Sequence, residues 1–199
     1  MSRPAAPGPG EEETLPKLLT EVALPDLAAT GRLARALAAA LRAGDLLVLT
    51  GELGAGKTTF TRALGKALGV RGSVISPTFV LARIHPNDPD GPRPGGPDLV
   101  HVDAYRLGSV EEVDDLDLEA TQDRAVTVVE WGRGLVEHLA ESRLELTLER
   151  ATGEAAPMVE GDEDVEDPRR ARLEAFGPRW TGQAGRDLAR RLESGPRDQ

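Results

Sequence analysis

The chain has 199 residues, of which 39% are hydrophobic and only 3% aromatic, so a single domain of ordinary size must be built mainly around Leu, Val and Ala. Its formal net charge of −10 argues against tight unaided binding to DNA or RNA, and the absence of cysteine excludes disulfides and thiolate metal sites. No apolar stretch reaches the roughly 18 residues of a membrane span and no secretory signal is evident, so we expect a cytoplasmic protein without membrane contact.

The first half of the chain predicts a helix, a buried strand and a second helix. Residues 1–16 are rich in Pro, Gly and Glu and are expected to be disordered. Leucines recur at helical spacing from Asp26 until Gly44 stops the pattern. Residues 46–50 then form an apolar run typical of a strand inside a parallel sheet. A glycine-rich loop follows, and the next helix should end at Gly69.

The second half predicts further strands and little regular structure near the end. We expect a strand within 74–84, entered through a loop, and then a flexible surface excursion at 85–98. Apolar strands should follow at 99–102 and 126–129, with a mostly helical acidic stretch at 109–121, capped by Ser109, between them. An edge strand at 143–149, a disordered acidic tract at 158–167 and a short helix at 181–192 complete the chain.

This order of elements predicts an α/β fold. Its central sheet should be largely parallel and flanked by helices, with a small antiparallel addition. The chain divides into a disordered tail (1–16), one folded domain (17–150) and a largely disordered acidic extension (151–199).

The segment GELGAGKTTF, residues 51–60, directly follows the first buried strand. It fits the phosphate-binding pattern G-x-x-x-x-G-K-[ST]. Glycines let successive backbone N–H groups point inward at phosphate oxygens. Lys57 is placed to reach the β- and γ-phosphates, and Thr58 offers a hydroxyl to Mg²⁺. The strand before the loop and the helix after it are the context that the pattern requires, so the fold should resemble that of P-loop NTPases.

Two carboxylates follow apolar runs, Asp103 after 99–102 and Glu130 after 126–129. Both should emerge at the rim of the sheet that carries the loop, where one can hold Mg²⁺ and the other can orient or deprotonate water. Spacing does not decide which does which. Thr78, in Ser76-Pro77-Thr78, suits either a loop that senses phosphate or a strand-entry turn. Trp131 suits nucleotide contact or the core, and we favour the core.

Four segments in order, GELGAGKTTFTRALGKALGV, SPTFVL, HVDAYRL and VVEWG, resemble the bacterial TsaE family over residues 30–149. The resemblance implies a small ATPase, weakly active alone, in the pathway that makes N6-threonylcarbamoyladenosine at adenosine 37 of tRNA. It implies ATP and Mg²⁺ as cofactors. It also implies two partners, the transferase TsaD and its non-catalytic paralogue TsaB, whose repeated turnover needs the hydrolysis. Contact with tRNA would be indirect, through the complex.

The phosphate-binding pattern, the neighbouring residues and the resemblance together give three groups of candidate site residues. The catalytic residues are Lys57, Asp103 and Glu130, and the magnesium ligands are Thr58, Asp103 and Glu130. The nucleotide-binding residues are Gly51, Glu52, Leu53, Gly54, Ala55, Gly56, Lys57, Thr58, Thr59, Thr30, Thr78 and Trp131. Three features depart from the family pattern: the excursion at 85–98, the small Ala104, and the extension after Arg150.

Three rival functions use the same loop. A small-molecule or nucleotide kinase would need an acceptor pocket and usually an Arg-rich lid, whereas the one arginine cluster, at 169–172, lies beyond the acidic tract. A GTP-operated switch usually carries an Asn-Lys-x-Asp segment, which is absent from the sequence. A non-enzymatic protein could keep the nucleotide as a structural clamp for docking partners.

Overall fold

The computed structural model describes residues 17–77, 80–150 and 168–194. Seven strands and five helices lie within these ranges. The strands are β1 (Lys17–Leu24), β2 (Leu46–Thr50), β3 (Ala82–His85), β4 (Asp98–Asp103), β5 (Ala125–Glu130), β6 (Arg143–Arg150) and β7 (Arg169–Phe176). The helices are α1 (Leu27–Ala40), α2 (Lys57–Leu68), α3 (Val110–Asp114), α4 (Gly177–Thr181) and α5 (Gln183–Ser194).

The strands form one mixed sheet in the order β1-β7-β6-β2-β5-β4-β3. The four central strands, β6, β2, β5 and β4, are parallel. Antiparallel strands extend the sheet on both sides: β7 lies next to β6 with β1 beyond it, and β3 lies next to β4. The predicted fold class is therefore confirmed, although the antiparallel part is larger than expected.

Each face of the sheet carries its own apolar core. The larger core lies between the sheet and helices α1, α2 and α5, and includes Phe60, Trp180 and Leu188. The smaller core lies on the other face, around Val48, Val102 and residues near α3. Because β2 is covered on both faces, its residues 46–49 are all buried, which explains their uninterrupted apolar run.

The ends of the helices follow local chemistry. Asp26 caps α1 by accepting the N–H of Ala29, and the left-handed Gly69 ends α2 as predicted. The prediction that α1 continues to Gly44 is wrong, because the helix ends at Ala40. There the guanidinium of Arg93 binds the carbonyls of Ala38 and Leu41.

Three strand predictions need correction. Strand β1 was not predicted, and the strand expected within 74–84 is limited to β3, which begins only at Ala82. The segment predicted as an edge strand, β6, lies inside the sheet. Its outer side is paired with β7 along its whole length, so its partly polar alternation does not mark a free edge.

The predicted boundary at 150 is also wrong for part of the extension. Residues 169–194 form β7, α4 and α5, which join the same sheet and the same core. The predictions for 1–16 and for the acidic tract at 158–167 lie outside the described residues. The excursion at 85–98 is tied to the body of the protein, because the side-chain amide of Asn87 donates to the carbonyls of Leu68 and Gly69.

Candidate functional site

The glycine-rich loop connects β2 to α2 at the carboxyl edge of the parallel strands. Gly51, Gly54 and Gly56 have φ angles of 141°, 78° and 102°, which side chains rarely allow. At Gly51 a Cβ atom would also lie 2.2 Å from the carbonyl oxygen of Leu148. A Cβ at Gly56 would meet no atom within 4 Å. The loop therefore closes tightly against β6 at its start and leaves open space at its end.

Lys57 crosses this loop with its ammonium group held at the centre. Its Nζ donates to the carbonyls of Gly51 at 2.7 Å and Glu52 at 2.9 Å. It also lies 3.8 Å from the ring centre of Trp131. Burial lowers the pKa of Lys57, and the nearby carboxylates of Glu130 and Asp103 oppose that shift. A poorly hydrated ammonium of this kind is a strong partner for an anion.

Glu130 lies at the end of β5 and links the sheet to the loop. Its side chain is 5% exposed. One carboxylate oxygen, Oε2, accepts the hydroxyl of Thr58 at 3.0 Å, and the other, Oε1, lies 2.7 Å from Nε2 of His101. The structure thus brings together two of the residues that the sequence predicts as magnesium ligands.

Asp103 is the second carboxylate at this edge, directly opposite Glu130 in the register of β4 and β5. It is less buried than Glu130, and its side chain accepts the N–H of Tyr105 at 3.2 Å. Parallel strands therefore place both acidic residues at the same rim, as the sequence predicts, but only Glu130 is seen to bind Thr58.

Trp131 follows Glu130 and departs from our preferred interpretation. It is only half-buried and belongs to neither core. Its φ angle is 64°, and its ring packs against Lys57 and against the exposed ring of Tyr105, with 5.2 Å between ring centres. The backbone thus turns Trp131 out of the sheet to line the crevice beside the loop.

The other predicted residues occupy varied positions. Thr30 is buried in the first turn of α1, where its hydroxyl donates to the carbonyl of Asp26. Thr59 is exposed on α2, Ala55 is buried inside the loop, and Leu53 is exposed. Thr78 lies outside the described residues.

His101 is the residue of the site that the sequence interpretation missed. It is wholly buried and bonded to Glu130, and it is not among the site residues predicted from the sequence. The sequence did contain a signal for His101. It lies two residues before Asp103 on β4, and residues two apart on a strand point to the same face of the sheet.

The donors at this crevice suit a magnesium–nucleotide complex. A hydroxyl (Thr58) and two carboxylates (Glu130 and Asp103) are the hard oxygen ligands that Mg²⁺ prefers. Among the described residues, no group of three or more acidic or histidine side chains is arranged to hold a metal ion by itself. No helix in the described parts of the chain is long and apolar enough to cross a bilayer.

Comparison with known proteins gives consistent matches. The family model described as "Threonylcarbamoyl adenosine biosynthesis protein TsaE" matches residues 24–157. The TsaE protein of Streptomyces coelicolor, named for tRNA threonylcarbamoyladenosine biosynthesis, is 54% identical over 149 residues, which are 74% of this chain and 91% of that protein. The Bacillus subtilis protein of the same name is 39% identical over 123 residues, 61% of this chain and 72% of that one.

A solved structure matches as well. The crystal structure of Bacillus subtilis YdiB superimposes with a TM-score of 0.61 at 27% sequence identity. The superposition covers 89% of this chain and 98% of YdiB. The superposition therefore extends well beyond the phosphate-binding loop.

Proposed function

The chain belongs to the TsaE family of threonylcarbamoyl adenosine biosynthesis proteins, and from that premise we propose that it is the ATPase of this pathway. It binds ATP with Mg²⁺ and hydrolyses it to support threonylcarbamoyladenosine formation on tRNA. One observation carries the proposal: the hydroxyl of Thr58, just after the phosphate-binding loop, is bonded to the buried carboxylate of Glu130.

The loop supplies the grip on the triphosphate. Backbone N–H groups between Gly51 and Thr58 donate to phosphate oxygens, and the N-terminus of α2 adds a favourable dipole. Lys57 is already held across the loop and contributes a partly desolvated positive charge to the β- and γ-phosphates. Trp131, beside Lys57, closes one side of the crevice against water.

The two carboxylates divide the remaining work. Glu130 and Thr58, already in contact, are the residues that would hold Mg²⁺. When bound, the cation neutralises charge on the terminal phosphates. Asp103, in register with Glu130 but less buried, is placed to orient or deprotonate the attacking water. Spacing left this assignment open, and the contact of Glu130 with Thr58 supports it.

The protein works with partners in this proposal. A TsaD-like transferase and a TsaB-like paralogue form the complex whose repeated turnover depends on ATP hydrolysis. The net charge of −10 disfavours direct contact with tRNA phosphates, so tRNA is reached through these partners. We place the complex in the cytoplasm.

The decisive experiment is a calorimetric titration of ATP and Mg²⁺ into the full chain, with hydrolysis measured with and without TsaB and TsaD. Lys57→Ala should lose nucleotide affinity, because the loop loses its central charge. Glu130→Ala and Asp103→Ala should mostly lose hydrolysis. Lys66→Ala is the matched control, since Lys66 is an exposed lysine of the same helix.

Three outcomes would contradict the proposal. The first is an absence of heat on titration with the folded protein. The second is unchanged hydrolysis in both carboxylate variants. The third is competition by GTP equal to that of ATP, which would favour a GTP switch. Phosphate transfer to nucleosides or sugars above background would favour the kinase alternative.

A further inference from the structure

His101 is a wholly buried polar residue of the central sheet. On β4 it lies two residues after Leu99, and its register partners are Val128 on β5 and Arg83 on β3. Leu99 and Val128 belong to the larger core. On the side of these two residues a leucine would fit without the cost of burying an imidazole. The position therefore carries a polar group that packing alone does not require.

The hydrogen bond of His101 accounts for that polar group. Its Nε2 lies 2.7 Å from Oε1 of Glu130, and an ionised carboxylate can only accept, so Nε2 is the donor. The other ring nitrogen, Nδ1, is buried and has no hydrogen-bond partner among the described residues. The fixed interaction of the ring is thus the one with Glu130.

This bond determines how Glu130 meets the loop. With Oε1 occupied by His101, Oε2 is the oxygen that accepts from Thr58. The two contacts hold the carboxylate from opposite ends, one on β4 and one on α2. Removal of the donor on β4 would leave a buried carboxylate free to rotate and one of its oxygens without a partner.

We infer that His101 is a positioning residue, which orients the carboxylate of Glu130 so that Oε2 and the hydroxyl of Thr58 face a magnesium–nucleotide complex together. This inference rests on the proposed function. Hydrogen-bond partners of metal ligands typically change metal affinity by about 10- to 100-fold when they are replaced. The effect should therefore fall on the Mg²⁺-dependent part of nucleotide binding.

The test is calorimetric titration of ATP, with and without Mg²⁺, into the full chain and two variants. In His101→Gln the side-chain nitrogen reaches about as far as Nε2 of the imidazole, whereas in His101→Asn it stops short of Glu130. We expect His101→Asn to reduce the affinity for ATP with Mg²⁺ by about 10-fold or more, and His101→Gln to restore most of that loss. Affinity for ATP without Mg²⁺ should stay unchanged in both.

The matched control is His138→Asn, since Nε2 of His138 also lies 2.7 Å from a carboxylate oxygen, that of Asp114 on α3. It should leave the effect of Mg²⁺ unchanged. A thermal melt of each variant verifies that it is folded. If the natural chain shows no binding promoted by Mg²⁺, the proposed function fails. If the natural chain does and His101→Asn matches it, or loses affinity equally with and without Mg²⁺, the positioning role is overturned.

Discussion

The most demanding prediction concerns a buried ion pair that holds the C-terminal helices to the sheet. The guanidinium of Arg179 on α4 binds both oxygens of Asp45, just before β2, at 2.6 and 2.7 Å. It also donates to the carbonyl of Ala40. The side chain of Asp45 is 4% exposed and that of Arg179 is 18% exposed. Replacing Arg179 by Met therefore leaves the buried carboxylate of Asp45 without its counter-ion.

Breaking a buried pair by removing one partner costs about 3–5 kcal/mol. At roughly 2–4 °C per kcal/mol for a chain of this size, Arg179→Met should lower the melting temperature by about 6–20 °C. The double variant Asp45→Asn/Arg179→Met should recover part of the lost stability, because it buries no unpaired charge. Urea denaturation and thermal melting of the full chain measure both.

The matched control is Arg170→Met, because Arg170 makes an exposed pair with Glu21 that is worth at most about 1 kcal/mol. A loss below about 1 kcal/mol for Arg179→Met, or a loss equal to that of the control, would refute the argument that this pair stabilises the docked helices.

Two further predictions test the loop and a buried histidine. Gly56→Ala should cost roughly 1–3 kcal/mol of backbone strain, because φ at Gly56 is positive and its Cβ would meet open space. Gly51→Ala should destabilise the protein by more than that, because its new Cβ would also meet the carbonyl oxygen of Leu148. Equal losses in urea denaturation would contradict that geometry. Burial lowers the pKa of His85, and the nearby His101 and Arg83 add to the shift. Below pH 6.5 the unfolded chain therefore binds a proton at this residue that the folded chain does not bind. The free energy of unfolding should therefore fall with decreasing pH by up to about 1.4 kcal/mol per pH unit. His85→Gln should remove this pH dependence. A variant with the same pH profile of stability as the natural chain would contradict the prediction.

Local patterns were enough for the centre of the fold. The apolar run of β2, the left-handed Gly69 after α2 and the cap at Ser109 each depend on residues within one or two turns of each other. The placement of β1 and β6 depends on β7, at the far end of the chain. No local period in the sequence reports such a partner, which is why β1 was missed and β6 was mistaken for an edge.

The same distinction applies to the candidate site. The loop is contiguous in sequence, and the rule that parallel strands end at one rim was enough to place Asp103 and Glu130 together. The bond between His101 and Glu130 depends on the register of β4 against β5, and a slip of one residue would turn His101 to the other face. The position of Trp131 depends on a positive φ angle, which the pattern of side chains in the sequence does not predict.

The pairing of the first strand with the last has a consequence for how the protein is made. At the edge of the described sheet, β1 pairs with β7, so residues 17–24 have no native neighbour in the sheet until residues 169–176 have left the ribosome. During synthesis the parallel centre can assemble while the N-terminal strand waits, with its backbone groups open to other chains. A nascent chain halted before β7 would therefore leave the backbone of residues 17–24 unpaired in the sheet and open to other strands.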